Sequence, residues 1–80
     1  MRINQAVIAR IQFYCKERKL SINGLAYLCG MPRSTINNLV SGRNAGTSVL
    51  NIQKICDGLG ITISDFFDDD MFRHIEQEIR

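Results

Sequence analysis

The chain has 80 residues and a mass of 9.1 kDa, the size of one small domain and too short to form two separate cores. Hydrophobic residues make up 45% and charged residues 22% of the sequence, which is typical of a folded globular domain and disfavours disorder. No run approaches the ~18 consecutive apolar residues of a membrane-spanning helix, and the first ten residues lack the apolar core of a signal peptide. The sequence therefore predicts a soluble protein of one domain.

Charge is distributed unevenly along the chain. Residues 1–43 contain seven Lys or Arg and one acid, whereas residues 44–80 contain three basic and seven acidic residues. A basic half is typical of a protein that binds a polyanion such as nucleic acid. Charge blocks on small domains are also commonly solvated faces, so the charge pattern alone leaves both interpretations open.

Three cysteines, Cys15, Cys29 and Cys56, are present, an odd number whose spacing matches no zinc-binding pattern such as C-x-x-C. Each lies among apolar neighbours at helical spacing, where a free cysteine behaves as a small buried hydrophobe. Free thiols indicate a reducing compartment, and we expect the cytoplasm. We expect neither a metal site nor a cofactor.

Three helices are predicted in the first half of the chain. A helix over about residues 3–18 has one apolar stripe, formed by Val7, Ile8, Ile11, Tyr14 and Cys15. Ser21 is expected to cap a second helix over 22–29. Pro32 suits the first turn of a third helix, which extends to about Ser41.

Three further helices are predicted after the loop at residues 42–46. Thr47 or Ser48 is expected to cap the fourth helix, which Gly60 ends. The sequence at 62–65 resembles a capping box, and it opens a short fifth helix that buries Phe66 and Phe67. Aspartates 68–70 favour the start of a sixth, amphipathic helix over 69–79. No stretch alternates with the period of a strand, so the predicted fold class is all-α.

The segment from Ser21 to Gly42 is the most informative about function. Two short helices meet at the tight turn Gly30-Met31-Pro32, which suits helices that cross steeply. Helical periodicity divides the second of them into a core side, formed by Thr35, Ile36, Leu39 and Val40, and a polar side, formed by Arg33, Ser34, Asn37, Asn38 and Ser41. The polar side contains no acid. Arg can pair with guanine and Asn with adenine in the major groove of DNA.

Over about residues 4–68 the chain resembles the phage-repressor/Cro-like helix-turn-helix family, also called the xenobiotic-response-element family of bacterial regulators. The matching stretches are LSINGLA at 20–26, CGMPRSTINNL at 29–39, SGR at 41–43, IQKICDGLGI at 52–61 and SDFF at 64–67. The resemblance implies a five-helix DNA-binding domain over 1–68, whose helix-turn-helix core is 21–41 and whose third helix lies in the major groove. Residues 69–80 are then an additional C-terminal helix that packs on the core or on a partner.

The resemblance also implies which residues contact DNA. The base-reading positions are Arg33, Ser34, Asn37 and Asn38. The phosphate-contacting positions are Ser21, Asn23, Arg43 and Asn44. Three further basic residues, Lys16, Arg18 and Lys19, are expected to add to the electrostatic field rather than to make fixed contacts.

Two departures from the family pattern affect the expected contacts. Family members often have Gln just after the cap of the second helix, where this chain has Ile22, so we do not count that position as a DNA contact. Many members also have a buried Arg–Glu pair at the positions of Cys15 and Val40. Because both residues are apolar here, no charge is left unpaired, and we predict that Cys15 and Val40 touch.

The sequence therefore predicts sequence-specific binding of double-stranded DNA by a bacterial or phage transcriptional regulator, a repressor that acts as a homodimer. It predicts no enzyme and no small-molecule substrate, because no set of nucleophile, base and orienting residue is apparent. One alternative stays open: a helix-turn-helix module, such as an antitoxin or anti-regulator, that works through a protein partner. The amphipathic stripe of the helix at 69–79 could then dock on that partner or on the chain's own first helix.

Overall fold

The computed structural model describes residues 1–42 and 47–79. These residues form five α-helices and one short 3-10 helix. The α-helices are α1 (Ile3–Glu17), α2 (Ile22–Cys29), α3 (Arg33–Ser41), α4 (Val49–Leu59) and α5 (Ile63–Phe66), and the 3-10 helix is Asp70–Arg73. The described part of the chain contains no strand, which confirms the predicted all-α, five-helix fold. None of its helices combines the length and the apolar character needed to cross a bilayer.

The predicted caps fix where the helices begin. The Ser21 hydroxyl accepts a hydrogen bond of 3.0 Å from the Gly24 amide, and the Ser48 hydroxyl accepts one of 3.1 Å from the Asn51 amide. In α5 the capping box is complete, since Thr62 and Asp65 each accept a bond from the other's amide, at 3.0 and 3.2 Å. Each cap satisfies amides that the first turn of a helix leaves without an acceptor.

The core is built where the helices meet, and α2 packs against both α3 and α4. Every α-helix contributes to it, and the largest fully buried side chains are those of Ile11, Leu25, Ile36, Ile55, Cys56 and Phe66. Cys15 is buried and Val40 is half-buried against the same core. Neither side chain lies in solvent, and their direct contact stays a prediction.

The three cysteines are free thiols in or beside the core. Burial, with smaller contributions from Cys15 and Cys56, raises the pKa of Cys29 to about 11. Burial also raises the pKa of Cys15 and of Cys56. The thiols are therefore protonated near neutral pH, as the interpretation of the cysteines as packing residues requires.

The prediction of a sixth helix over 69–79 is wrong. One 3-10 turn, Asp70–Arg73, is present, and residues 74–79 are not helical. Inside that turn the Phe72 ring lies 4.9 Å from the Phe67 ring and 6.4 Å from the Phe66 ring, between centroids. Phe72 therefore completes the core instead of contributing to an amphipathic stripe.

Contacts with the start of the chain explain why the segment does not continue as a helix. The Glu76 amide donates to the Met1 carbonyl at 3.0 Å, so it is not available to a helical acceptor. Arg2 donates to the two carboxylate oxygens of Glu78 at 2.6 and 3.1 Å. An isolated helix of about eleven residues is marginal in water, so these few tertiary contacts are enough to override the local pattern.

Arg10 is a buried charged side chain that joins α1 to the end of α5. Its guanidinium donates to the Phe66 carbonyl at 2.7 Å and to the Asp65 carbonyl at 2.9 Å. It also donates to the Tyr14 hydroxyl at 3.2 Å and lies 3.5 Å from the Asp69 carboxylate. A cation at this position supplies a donor to the Phe66 carbonyl, to which no described backbone amide donates, and interacts favourably with the negative end of the helix dipole.

We expect Arg10→Leu to lower the free energy of unfolding by about 2–4 kcal/mol, because it leaves the buried Phe66 carbonyl without a donor and the Asp69 carboxylate without its ion-pair partner. Arg10→Lys should recover little of this loss, since an ammonium cannot reproduce the fork of donors. The control is Arg73→Leu, which removes an exposed arginine paired with Asp68 and Asp70 and should cost less than about 1 kcal/mol. Urea unfolding followed by circular dichroism gives these free energies. Equally small losses of stability in Arg10→Leu and Arg73→Leu would contradict the stabilising role of Arg10.

A glycine allows α4 to approach α2 closely. A Cβ atom at Gly58 would lie 2.8 Å from the Cys29 sulfur, 2.9 Å from the Leu28 carbonyl oxygen and 3.0 Å from the Cys29 Cα. Two of these atoms belong to the backbone and cannot move without moving α2. At Gly24, by comparison, a Cβ atom would meet the Leu20 and Ser21 side chains at an ordinary 3.4 Å.

Gly58→Ala and Gly24→Ala are therefore expected to act in opposite directions. Gly58→Ala should lower the free energy of unfolding by roughly 1–3 kcal/mol, because overpacking outweighs the better helix propensity of alanine. Gly24→Ala should raise it by up to about 1 kcal/mol, because the propensity gain is not opposed by a clash. Chemical denaturation of the two variants tests whether their free energies of unfolding change in opposite directions. A Gly58→Ala protein as stable as the natural one would show that α2 and α4 are free to separate.

Candidate nucleic-acid interface

The turn between α2 and α3 fixes how the two helices are placed. Gly30 adopts a left-handed conformation with φ of 63°, which costs a glycine little, and the Met31 amide donates to the Ala26 carbonyl at 3.1 Å. The Met31 side chain is buried in the core. Pro32 then precedes α3 as its N-cap. The predicted turn is confirmed, and it is anchored by a side chain on its inner side.

The two faces of α3 lie as helical periodicity predicts. Ile36 and Leu39 are buried, and Thr35 and Val40 are half-buried. The exposed residues of this helix are the predicted polar set, Arg33, Ser34, Asn37, Asn38 and Ser41. The four candidate base-reading residues are thus all exposed on one helix face, and that face contains no carboxylate.

The start of α2 contributes two of the predicted phosphate-contacting residues. Ser21 and Asn23 are both exposed. The Ser21 oxygen accepts from the Gly24 amide, which leaves its hydroxyl hydrogen free to donate. Amides in the first turn of a helix point outward and favour an anion such as phosphate. Ile22 is half-buried against the core, so the residue in place of the family's usual Gln is used for packing.

Arg43 and Asn44, the remaining two predicted phosphate-contacting residues, lie outside the described residues. The structure resumes at Thr47, and Ser48 caps α4 as the sequence predicts.

Several basic side chains that the charge count includes are already used inside the protein. Arg10 binds the end of α5, and Arg2 pairs with Glu78. Arg18, which we expected only to add to the field, donates to the Leu59 carbonyl at the end of α4 at 2.6 Å. Counting charges along the sequence cannot detect these pairings, because each joins residues more than forty positions apart.

Four cations keep no hydrogen-bond or ion-pair partner within residues 1–42 and 47–79. They are Lys16, Lys19, Arg33 and Lys54. Three of the four belong to the basic half of the chain. The charge available to an external anion is therefore smaller than the composition indicates, and it includes Arg33 on the exposed face of α3.

The acidic segment is used for internal contacts. Asp68 and Asp70 pair with Arg73, and Asp69 accepts from the Met71 amide at 3.0 Å. Where the structure describes the chain, no group of three His, Cys, Asp or Glu side chains is placed to hold a metal ion.

Two short helices joined by a tight, anchored turn, the second with an exposed acid-free face, define the helix-turn-helix class of DNA-binding domain. The sequence model of the Cro/C1-type HTH DNA-binding domain matches residues 10–70, and the chain belongs to that family. The resemblance found in the sequence is thereby confirmed.

A similar solved structure is the crystal structure of the prophage Lp1 protein 11. It is 30% identical to this chain, and the match covers 94% of this chain and 100% of that one with a TM-score of 0.80. No curated protein matches the sequence.

Proposed function

We propose that the protein binds double-stranded DNA sequence-specifically, with α3 in the major groove. The observation that carries the proposal is the exposed face of α3 in a chain of the Cro/C1 family. That face presents an arginine that has no partner among the described residues, together with two asparagines, and it has no acid. An α-helix fits the major groove of B-DNA, where each base pair offers a distinct pattern of donors and acceptors.

The exposed residues suit distinct roles in such a complex. Arg33, near the start of α3, would pair with guanine, and Asn37 or Asn38 would pair with adenine, while Ser34 can bond to either kind of base edge. Ser21 and Asn23 at the start of α2 would bind phosphate oxygens. The assignment of Arg43 and Asn44 to the phosphate backbone rests on the family resemblance.

We further propose that the protein is a bacterial or phage transcriptional regulator, a repressor that acts in the cytoplasm as a homodimer. A single module of this size buries only about 600–1,000 Å² of its surface on DNA, which limits its specificity. Two copies on half-sites about 34 Å apart would double the number of bases read. Repression would then be steric, since a dimer over a promoter blocks access to it.

The alternative of a protein-interaction module has less support than DNA binding. The docking surface considered for it was an amphipathic helix over 69–79, whereas residues 74–79 are not helical and Phe72 packs against Phe66 and Phe67. We therefore argue DNA binding alone.

Replacing Arg33 with Ala tests the assigned role. We expect a loss of about 1–3 kcal/mol in binding to a duplex that the natural protein selects, and a relaxed preference at one base pair. Arg43→Ala should instead weaken binding to all sequences alike and reduce the salt dependence, as expected for a phosphate contact. Fluorescence anisotropy on selected and scrambled duplexes measures both effects.

Arg73→Ala is the control for the loss of one positive charge, because Arg73 is paired with Asp68 and Asp70. It should change neither affinity nor preference appreciably. Equal losses on the selected and the scrambled duplex for Arg33→Ala would show that Arg33 does not contact a base.

A further inference from the structure

Lys19 has a backbone conformation that normally favours glycine. It is the one residue other than glycine in the described part of the chain with a positive φ, 55°. Its amide donates to the Lys16 carbonyl at 3.2 Å, and the next amide, of Leu20, donates to the Cys15 carbonyl at 2.8 Å. This pair of bonds is the Schellman motif that ends a helix, and the position that Lys19 occupies in it is usually glycine, because an L side chain is strained there.

Packing does not explain why position 19 is a lysine. Lys19 is exposed, and its ammonium has no hydrogen-bond or ion-pair partner among the described residues. The side chain of Leu20 supplies the apolar contact with the core at this turn. A glycine at position 19 would therefore give the same turn without strain, and the lysine adds only an unpaired positive charge.

The backbone that carries this charge lies beside the start of α2. Lys19 is two residues before Ser21, so their Cα atoms are at most about 7 Å apart. Lys16, which is also exposed and unpaired, is joined to Lys19 by the backbone hydrogen bond that closes the turn. Residues held in a disfavoured backbone conformation commonly mark a functional position, because the surrounding structure must maintain the strain.

We infer that Lys19 is a fixed phosphate-contacting residue, which extends the DNA contact from the start of α2 to the turn after α1. This inference rests on the proposed function and goes beyond the expectation that Lys19 adds to the field. Its ammonium binds a backbone phosphate as a point charge, so the contact contributes affinity on every sequence and no base preference.

Three substitutions at position 19 separate the charge from the turn. Lys19→Gly removes the charge and the strain, Lys19→Asn removes the charge and keeps a residue that tolerates the left-handed region, and Lys19→Arg keeps the charge. On the duplex that the natural protein binds, we expect the Gly and Asn variants to bind about 5- to 10-fold more weakly at ~0.1 M salt. The slope of log affinity against log salt should fall by about 0.9 in both, while the Arg variant keeps the natural slope.

Thermal unfolding of the same variants shows that folding does not cause the loss. Lys19→Gly should melt at or above the temperature of the natural protein, because glycine relieves the strain. Weaker DNA binding by a protein of equal or greater stability is a result that a purely structural role for Lys19 does not give. If Lys19→Gly unfolds at a lower temperature than the natural protein, Lys19→Asn still tests the loss of charge without the change to glycine.

Arg73→Gln is the matched control, since it also lowers the net charge by one but removes a side chain already paired with Asp68 and Asp70. Unchanged affinity and slope for Lys19→Gly and Lys19→Asn would overturn the inference and leave the proposed function intact. A loss in Arg73→Gln as large as that in Lys19→Asn would overturn it as well, by showing a general field effect. If the natural protein itself binds no duplex, the proposed function fails, and this inference fails with it.

Discussion

The close contact of α4 with α2 is the constraint on which the position of α3 and its exposed face depends. Gly58 lies against the backbone of Leu28 and Cys29, at distances where a Cβ atom would clash. α2 also packs against α3, and the turn between them is held by the buried Met31. The orientation of the exposed face of α3 therefore depends on the backbone contacts between α2 and α4. Short helices, which are marginal alone, can present a defined surface when they are held in this way.

Two arginines also hold the helices together, and they explain why charge counts alone are a poor guide to the interface. Arg10 and Arg18 donate to carbonyls at the ends of α5 and α4, where the helix dipoles favour a cation. Both hold α1 against the second half of the domain. Their charges consequently serve stability, while Arg33, Lys16 and Lys19 remain available to an external anion. A basic sequence thus divides into structural cations, which are tied to carbonyls, and unpaired cations, which form the electrostatic footprint.

Features that depend on nearby residues could be predicted from the sequence. The caps at Ser21, Ser48 and Thr62 and the two faces of α3 all follow from patterns within a few positions, and the structure confirms them. The same local patterns predict a C-terminal helix over 69–79, and that prediction is wrong. The conformation of this segment is set by contacts with Met1 and Arg2 at the other end of the chain. The strain at Lys19 was also not predictable, since lysine carries no signal for a left-handed conformation.

Sequence-specific recognition by α3 can be tested by selecting binding sites from a randomised pool of roughly 30-base-pair duplexes, at physiological salt to suppress non-specific phosphate binding. We expect enrichment of an inverted repeat whose half-sites are centred about ten base pairs apart, as a pair of helices in successive major grooves on one side of the DNA requires. Enrichment of one unrepeated half-site would retain sequence-specific binding by α3 and contradict the dimer. A pool without any enriched sequence would contradict the claim that the exposed face of α3 recognises bases.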